Sequence, residues 1–307
     1  SVPYNGTNLE YTKNFISPYT TCVWSGGAAL NVARAYHAGF GTQNAAVASG
    51  GYCGVSPAVN STEEFDGTSW TAAPGSITPR YNTAGAGSQN AGIIAGGRNV
   101  PSNKLTCTEE YNGSTWATGG ALAVARYGLG VAGTQNATLA LGGYAPPSST
   151  RLTCSEEYNG SSWSPGGVLI TGRSYSTSFG LQNAALSVGG LIPGVSSAVE
   201  EYNGTSNTTI DSITTGRFAL GGAGTTNSGV IFAGDTPTAT ASTEAYDGTS
   251  WSVQSQMKTA RSYVGNAGAS AAEAAAFGGY TPSYSPDTEL FTAACSTTLC
   301  SSLPVWS

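Results

Sequence analysis

The chain has 307 residues, 43 of them Gly, with 9% charged residues and a net charge of −6. Soluble domains usually carry about a quarter charged residues, so this surface is solubilised by hydroxyls and amides rather than by ions. The acidic balance and the lack of a basic stripe exclude a nucleic-acid partner, and no apolar run approaches the roughly 20 residues that span a bilayer.

In chain order, the first recognisable element is a short strand around Cys22 to Ser25, whose Trp24 lies ten residues before Arg34. From there one phrase returns six times, beginning at Arg34, Arg80, Arg126, Arg173, Arg217 and Arg261. The intervals are 46, 46, 47, 44 and 44 residues. A fixed period of this length marks an array of one supersecondary unit. The second residue of a small pair, usually Gly-Gly, follows each Arg by 17 residues in five units and by 18 in the sixth. A Glu recurs at 63, 109, 156, 200, 244 and 289. Seven residues after it stands Trp70, Trp116, Trp163 or Trp251, with Asn207 in that place in the fourth unit. The next Arg is always ten residues further on.

Each unit reads as four short antiparallel strands. The first follows the Arg and turns at GTQN (41 to 44), GSQN (87 to 90), GTQN (133 to 136) or GLQN (180 to 183). The second holds runs such as AGIIAGG (91 to 97), and the third carries the Glu and a Tyr or Phe. Asp66-Gly67, Asn112-Gly113, Asn159-Gly160, Asn203-Gly204 and Asp247-Gly248 supply the positive φ of a tight turn into the Trp strand. Four-stranded units repeated radially make a β-propeller.

The expected fold is therefore all-β: one six-bladed propeller over residues 1–307, with blades at about 31–78, 79–124, 125–170, 171–214, 215–258 and 259–303. Residues 20–27 are expected to supply the missing outer strand of the last blade. Trp306 competes with Trp24 for that slot, since only one of them can fill it.

The Gly-Gly closing the second strand, followed by Glu-Tyr and a turn Trp, resembles the kelch repeat over residues 22 to 300. The GTQN hairpins and the EEYNGTSW form also look like kelch-like repeats in tail-fibre and other structural proteins of bacteriophages. The Tyr-to-Trp interval is shorter than in the usual kelch form, and the sixth unit departs most, with AAEAAAFGG in its second strand. Kelch-type galactose oxidases would imply a copper site with two His, but His37 is the sole histidine. A lone His is more often a satisfied structural side chain than a ligand, and no cofactor or metal site is expected. Asp66 to Trp70 has a superficial likeness to a sialidase Asp box, but the Asx-Gly turn accounts for it.

The six Arg and six Glu recur in every unit, whereas a catalytic group need occur once. They are read as buried charge-assisted hydrogen bonds that fix each blade. The six Cys suggest an oxidising, extracellular setting, with Cys295 and Cys300 the nearest pair and Cys22 a further disulfide candidate. Cys107 and Cys154 share one repeat position and also read as small buried thiols. Asn-X-Ser/Thr occurs at Asn5, Asn60, Asn112, Asn136, Asn159, Asn203 and Asn207, mostly at repeat turns.

Length varies mainly between the Gly-Gly and the Glu, and those loops should emerge together on one face. They hold Tyr52, Arg98, Lys104, Tyr144, Arg151, Tyr280 and Tyr284, the candidate ligand-binding residues. Aromatics and a few cations on a hydroxyl-rich rim suit a glycan or a flat protein partner. The reading is a non-enzymatic, extracellular or virion-surface adhesion or decoration module contacting host-surface glycan or other virion proteins within a larger assembly. The alternatives are a secreted glycan-active enzyme and a kelch-type protein-interaction adaptor.

Overall fold

The second strand of each repeat is an unbroken small or apolar run, as in Ala46-Val47-Ala48 and Gly92-Ile93-Ile94-Ala95. Such runs suit a sheet covered on both faces rather than one with a wet side. In the computed structural model, which describes residues 19–54, 58–101, 103–145 and 151–295, these runs are buried in every blade. The described residues form six four-stranded antiparallel sheets arranged as a six-bladed propeller. Blade 1 comprises Ala38–Thr42, Ala45–Ser49, Thr62–Phe65 and Trp70–Ala73, and the others repeat that order. No helix among the described residues is long and apolar enough to cross a membrane.

The innermost strands line the axis, where six of them converge and large side chains have no room. A Cβ on Gly39 would lie 2.3 Å from the Asn266 amide nitrogen, and one on Gly85 would meet the Phe40 ring at 2.8 Å. In blades 1, 2, 3 and 5 the outer strand begins at the repeat Trp, whose ring packs on the Tyr or Phe of the third strand; in blade 4 it begins at Asn207.

The last blade is completed from the other end of the chain. Tyr19–Gly27 pairs antiparallel with Thr288–Cys295, placing Trp24 opposite Phe291 and Gly26 opposite Glu289. The equivalent pairs elsewhere are Phe65 with Trp70 and Tyr111 with Trp116. Trp24 therefore fills the slot for which Trp306, outside the described residues, competed. Its ring packs between Phe232 and Phe291, and its indole N–H donates to Thr243 Oγ1 of blade 5 at 3.0 Å.

Each repeat Arg is fully buried and anchors its own blade. The Arg34 guanidinium donates to Glu63 Oε1 at 2.6 Å and to the carbonyls of Gly50 and Ser61. The ion pair recurs as Arg126–Glu156, Arg173–Glu200 and Arg261–Glu289 at 2.5 to 2.9 Å, and also as Arg80–Glu109 and Arg217–Glu244. The backbone carbonyl of each Arg takes a second duty. It accepts from the second small-pair residue of the preceding blade, as in Gly51 N–H to Arg80 O and, across the closure, Gly279 N–H to Arg34 O. A Cβ at Gly50 would come within 2.7 Å of that same Arg80 oxygen, and Gly50 and Gly51 both have positive φ. Blade 5 tolerates Ala233 at the first place, at φ 60°.

Between blades, Gln89, Gln135, Gln182 and Gln43 each reach back to two carbonyls of the preceding sheet. Three tyrosine hydroxyls add a second tie, donating from Tyr111 to Glu64, Tyr158 to Glu110 and Tyr202 to Glu157.

Candidate functional site

Two residues after each Arg the backbone turns left-handed, at Tyr36, Asn82, Gly128, Tyr175, Ala219 and Tyr263, with φ between 52° and 62°. The amide of each donates to the carbonyl of its counterpart in the preceding blade. The bonds run Asn82 to Tyr36, Gly128 to Asn82, Tyr175 to Gly128, Ala219 to Tyr175, Tyr263 to Ala219, and Tyr36 back to Tyr263, at 2.7 to 3.2 Å. This closed ring of six hydrogen bonds encircles the axis and fixes the mouth of the central channel. It leaves the side chains at these positions free to differ, and they do.

The variable loops fold down beside this ring. The residue after each small pair forms a β-bridge with the residue after the Arg: Tyr52 with Ala35, Arg98 with Tyr81, Tyr144 with Tyr127, Leu191 with Ser174, Asp235 with Phe218, and Tyr280 with Ser262. A second set of bridges ties Arg98 to Lys104, Tyr144 to Arg151 and Tyr280 to Tyr284. All seven ligand-binding candidates read from the sequence thus lie on one face. They are not equivalent there. Tyr52 and Tyr284 join a bowl at the mouth, whereas Tyr144, Tyr280 and Arg98 support its surroundings and Lys104 and Arg151 stand behind them on the loops.

The bowl is a cavity of about 320 Å³ lined by Tyr36, Tyr52, Tyr81, Asn82, Tyr175, Tyr263 and Tyr284. Its rings contact one another: Tyr36 with Tyr263 at 4.1 Å between centroids, Tyr175 with Tyr263 at 5.7 Å, Tyr52 with Tyr81 at 5.8 Å and Tyr52 with Tyr284 at 5.5 Å. The Arg98 guanidinium lies over Tyr127 at 4.7 Å and Tyr81 at 5.4 Å, a cation–π clamp at the edge. Burial, then the neighbouring Tyr263, pushes the Tyr36 phenol up. Burial likewise raises Tyr175, and it lifts Tyr263 to about 12 with help from Asp235. These phenols stay protonated, each both donor and acceptor.

Tyr36, Tyr81, Tyr127, Tyr175, Phe218 and Tyr263 are absent from the sequence-derived site. A signal for them existed, because every repeat places one aromatic residue at the first or second position after its Arg.

Beneath the mouth, the channel is lined by His37, Ser176, Ser178 and Asn266 among others. His37 is buried, yet neither ring nitrogen has a hydrogen-bond partner, which corrects the expectation of a satisfied structural histidine. It is wedged where a Cβ on Gly265 or Gly278 would strike it, and it packs on Phe277. Burial, then the charges of Arg34 and Arg261, pulls its pKa down to about 3. The imidazole is neutral.

The disulfide candidate Cys22 is a free thiol in the outer strand opposite Ala293, packed beside Phe291 and Trp24. The Cys295–Cys300 pairing lies outside the described residues, since Cys300 and the Cys295 side chain are not among them. Cys107 and Cys154 are half-buried free thiols whose carbonyls accept from Arg80 and Arg126.

No protein-family model and no curated protein matches this chain. Among solved structures 370 chains match, and a shared fold does not by itself select a function. One is the structure of YjhT, aligned with a TM-score of 0.71 at 12% identity over 85% of this chain and 95% of the other. At that identity the likeness establishes the shared propeller fold and nothing of the chemistry.

Proposed function

We propose that the chain is a non-enzymatic recognition module of kelch type, displayed outside the cell or on a virion, that holds glycan against the channel-mouth face. The observation that carries this reading is the bowl of six tyrosines. Phenol rings offer flat apolar faces for sugar C–H groups and hydroxyls for the sugar edge, and they lose little conformational freedom on binding. The frame carboxylates speak against an enzyme, because Glu63 and its five counterparts are committed to buried Arg partners. Glu64, Glu110 and Glu157 are likewise engaged, each by a tyrosine of the next blade. The phage fibre or decoration setting rests on the form of the repeats, with their GTQN hairpins and EEYNGTSW turns.

The test is a glycan array probed with the wild type and with a Tyr52→Ala, Tyr284→Ala double variant. Loss of bound glycan by a variant that melts like the wild type supports the reading. Undiminished binding, or conversion of the glycan to smaller products, overturns it.

A further inference from the structure

Among the seven residues lining the bowl, Asn82 is the one that is not aromatic. It is 9% exposed, and its Oδ1 receives no hydrogen bond, while its Nδ2 reaches the Tyr175 hydroxyl at 3.5 Å. Buried amide oxygens are nearly always satisfied, so an unpartnered one on a residue that lines a ligand-sized cavity marks a place for a donor from outside. The backbone does not require this side chain. Gly128 and Ala219 hold the same left-handed position and make the same ring hydrogen bonds with no polar atom at all. The amide is therefore a feature of the bowl and not of the frame.

The bowl's size and charge narrow the occupant. About 320 Å³ is at the small end of ligand cavities, enough for one sugar ring rather than a run of them. The lining is six phenols and an amide, with no Lys, Arg, His, Asp or Glu among them, so Arg98 and Asp235 are not part of it. A carboxylate or sulfate placed there would meet no cation in the lining, and the Arg98 guanidinium at the edge is already stacked on Tyr81 and Tyr127.

Building on the glycan-binding reading above, we propose that the bowl takes one uncharged pyranose ring, stacked on its tyrosines, and that Asn82 selects the sugar by accepting a ring hydroxyl at Oδ1. A site built to accept a particular hydroxyl discriminates against sugars that do not present it, because its buried acceptor is then left unpaired.

The experiment pairs wild type with Asn82→Ala and Asn82→Gly, the residues that Ala219 and Gly128 show the backbone accepts. The probes are glycans ending in neutral hexoses, matched glycans ending in uronates or sulfated sugars, and the methyl glycosides of glucose, galactose and mannose followed by saturation-transfer NMR. Expected are binding of a neutral hexose by the wild type, at least a tenfold loss in both variants, and melting curves that superimpose. Neutral-hexose binding that survives in both variants overturns the role of Asn82 while leaving the glycan reading intact. Binding confined to the charged sugars, and weakening with salt, overturns the uncharged-ring assignment alone. No binding to any probe overturns both readings.

Discussion

The repeat Arg and the ring position two residues after it, which supplies four of the residues lining the bowl, follow opposite rules. At the Arg, six blades have one solution: a guanidinium fully buried, one carboxylate, and the carbonyls of the same sheet. At the second residue after it, the six blades carry Tyr, Asn, Gly, Tyr, Ala and Tyr, although the backbone does the same thing in all of them. Where the side chain holds the blade, it must repeat. Where the backbone alone holds the ring, the side chain is released to make an asymmetric surface from a symmetric frame. That separation explains how a closed, repetitive ring can carry one off-axis site.

The comparison breaks most visibly at the frame. Glu109→Gln removes the charge that Arg80 faces in a buried setting, and it should cost about 3 to 5 kcal/mol, read as a shift in the denaturant midpoint. Glu110→Gln, one residue along, weakens only the hydrogen bond from Tyr158, and about 1 kcal/mol is expected. Equal losses at the two sites would contradict the frame assignment.

His37 occupies the third position after its Arg, where other blades have Thr83, Leu129, Ser176, Leu220 and Val264. Its folded pKa of about 3 lies below its ordinary value of 6.5, so between those pH values the unfolded chain binds the extra proton. Stability from this group is complete above pH 6.5 and is lost as pH falls towards 3, with a slope of up to about 1.4 kcal/mol per pH unit. His37→Leu, which borrows the residue of blades 3 and 5, should flatten that part of the stability-against-pH curve. An unchanged slope in the variant would mean that the imidazole is protonated in the folded chain.

Much of the frame was legible in the sequence because it repeats. The 17-residue interval from Arg to the small pair, the Glu seven residues before the aromatic, and the stranded Trp24 ten residues before Arg34 together specify blades, register and closure. The bowl was half legible. Tyr52 and Tyr284 stand out as aromatics in loops freed from the repeat, but Tyr36, Tyr175 and Tyr263 hide inside it, two residues after an Arg. A left-handed position usually announces itself by Gly or Asn, and three tyrosines there conceal it. The open ring nitrogens of His37 were not legible at all, because they depend on Gly265 and Gly278 approaching from the last blade.

The seams between blades sharpen the comparison further, since one clamp is present in some and lost in others. Gln135 donates to the carbonyls of Gly92 and Tyr111 in the preceding blade, at 2.9 and 2.8 Å. Gln135→Ala should cost about 1 to 2 kcal/mol, as it leaves two half-buried acceptors short of a donor.

Blade 5 has Thr226 at the corresponding place, and its side chain is too short to span the gap. The seam it forms with blade 4 relies on the apolar cluster of Phe179, Leu186, Val188, Val199, Ile213, Leu220, Ile231 and Tyr246, whereas the seam of blades 2 and 3 has both such a cluster and the Gln135 clamp. Thr226→Gln should restore the clamp by reaching the carbonyls of Ala185 and Tyr202, which stand where Gly92 and Tyr111 stand in blade 2. The hydrogen bonds replace water at a half-buried site, so the expected gain is about 0.5 to 1 kcal/mol in the denaturant midpoint. A gain would show that the clamp is a portable part of the frame. A loss would show that the apolar seam has moved blades 4 and 5 into a spacing the glutamine no longer fits.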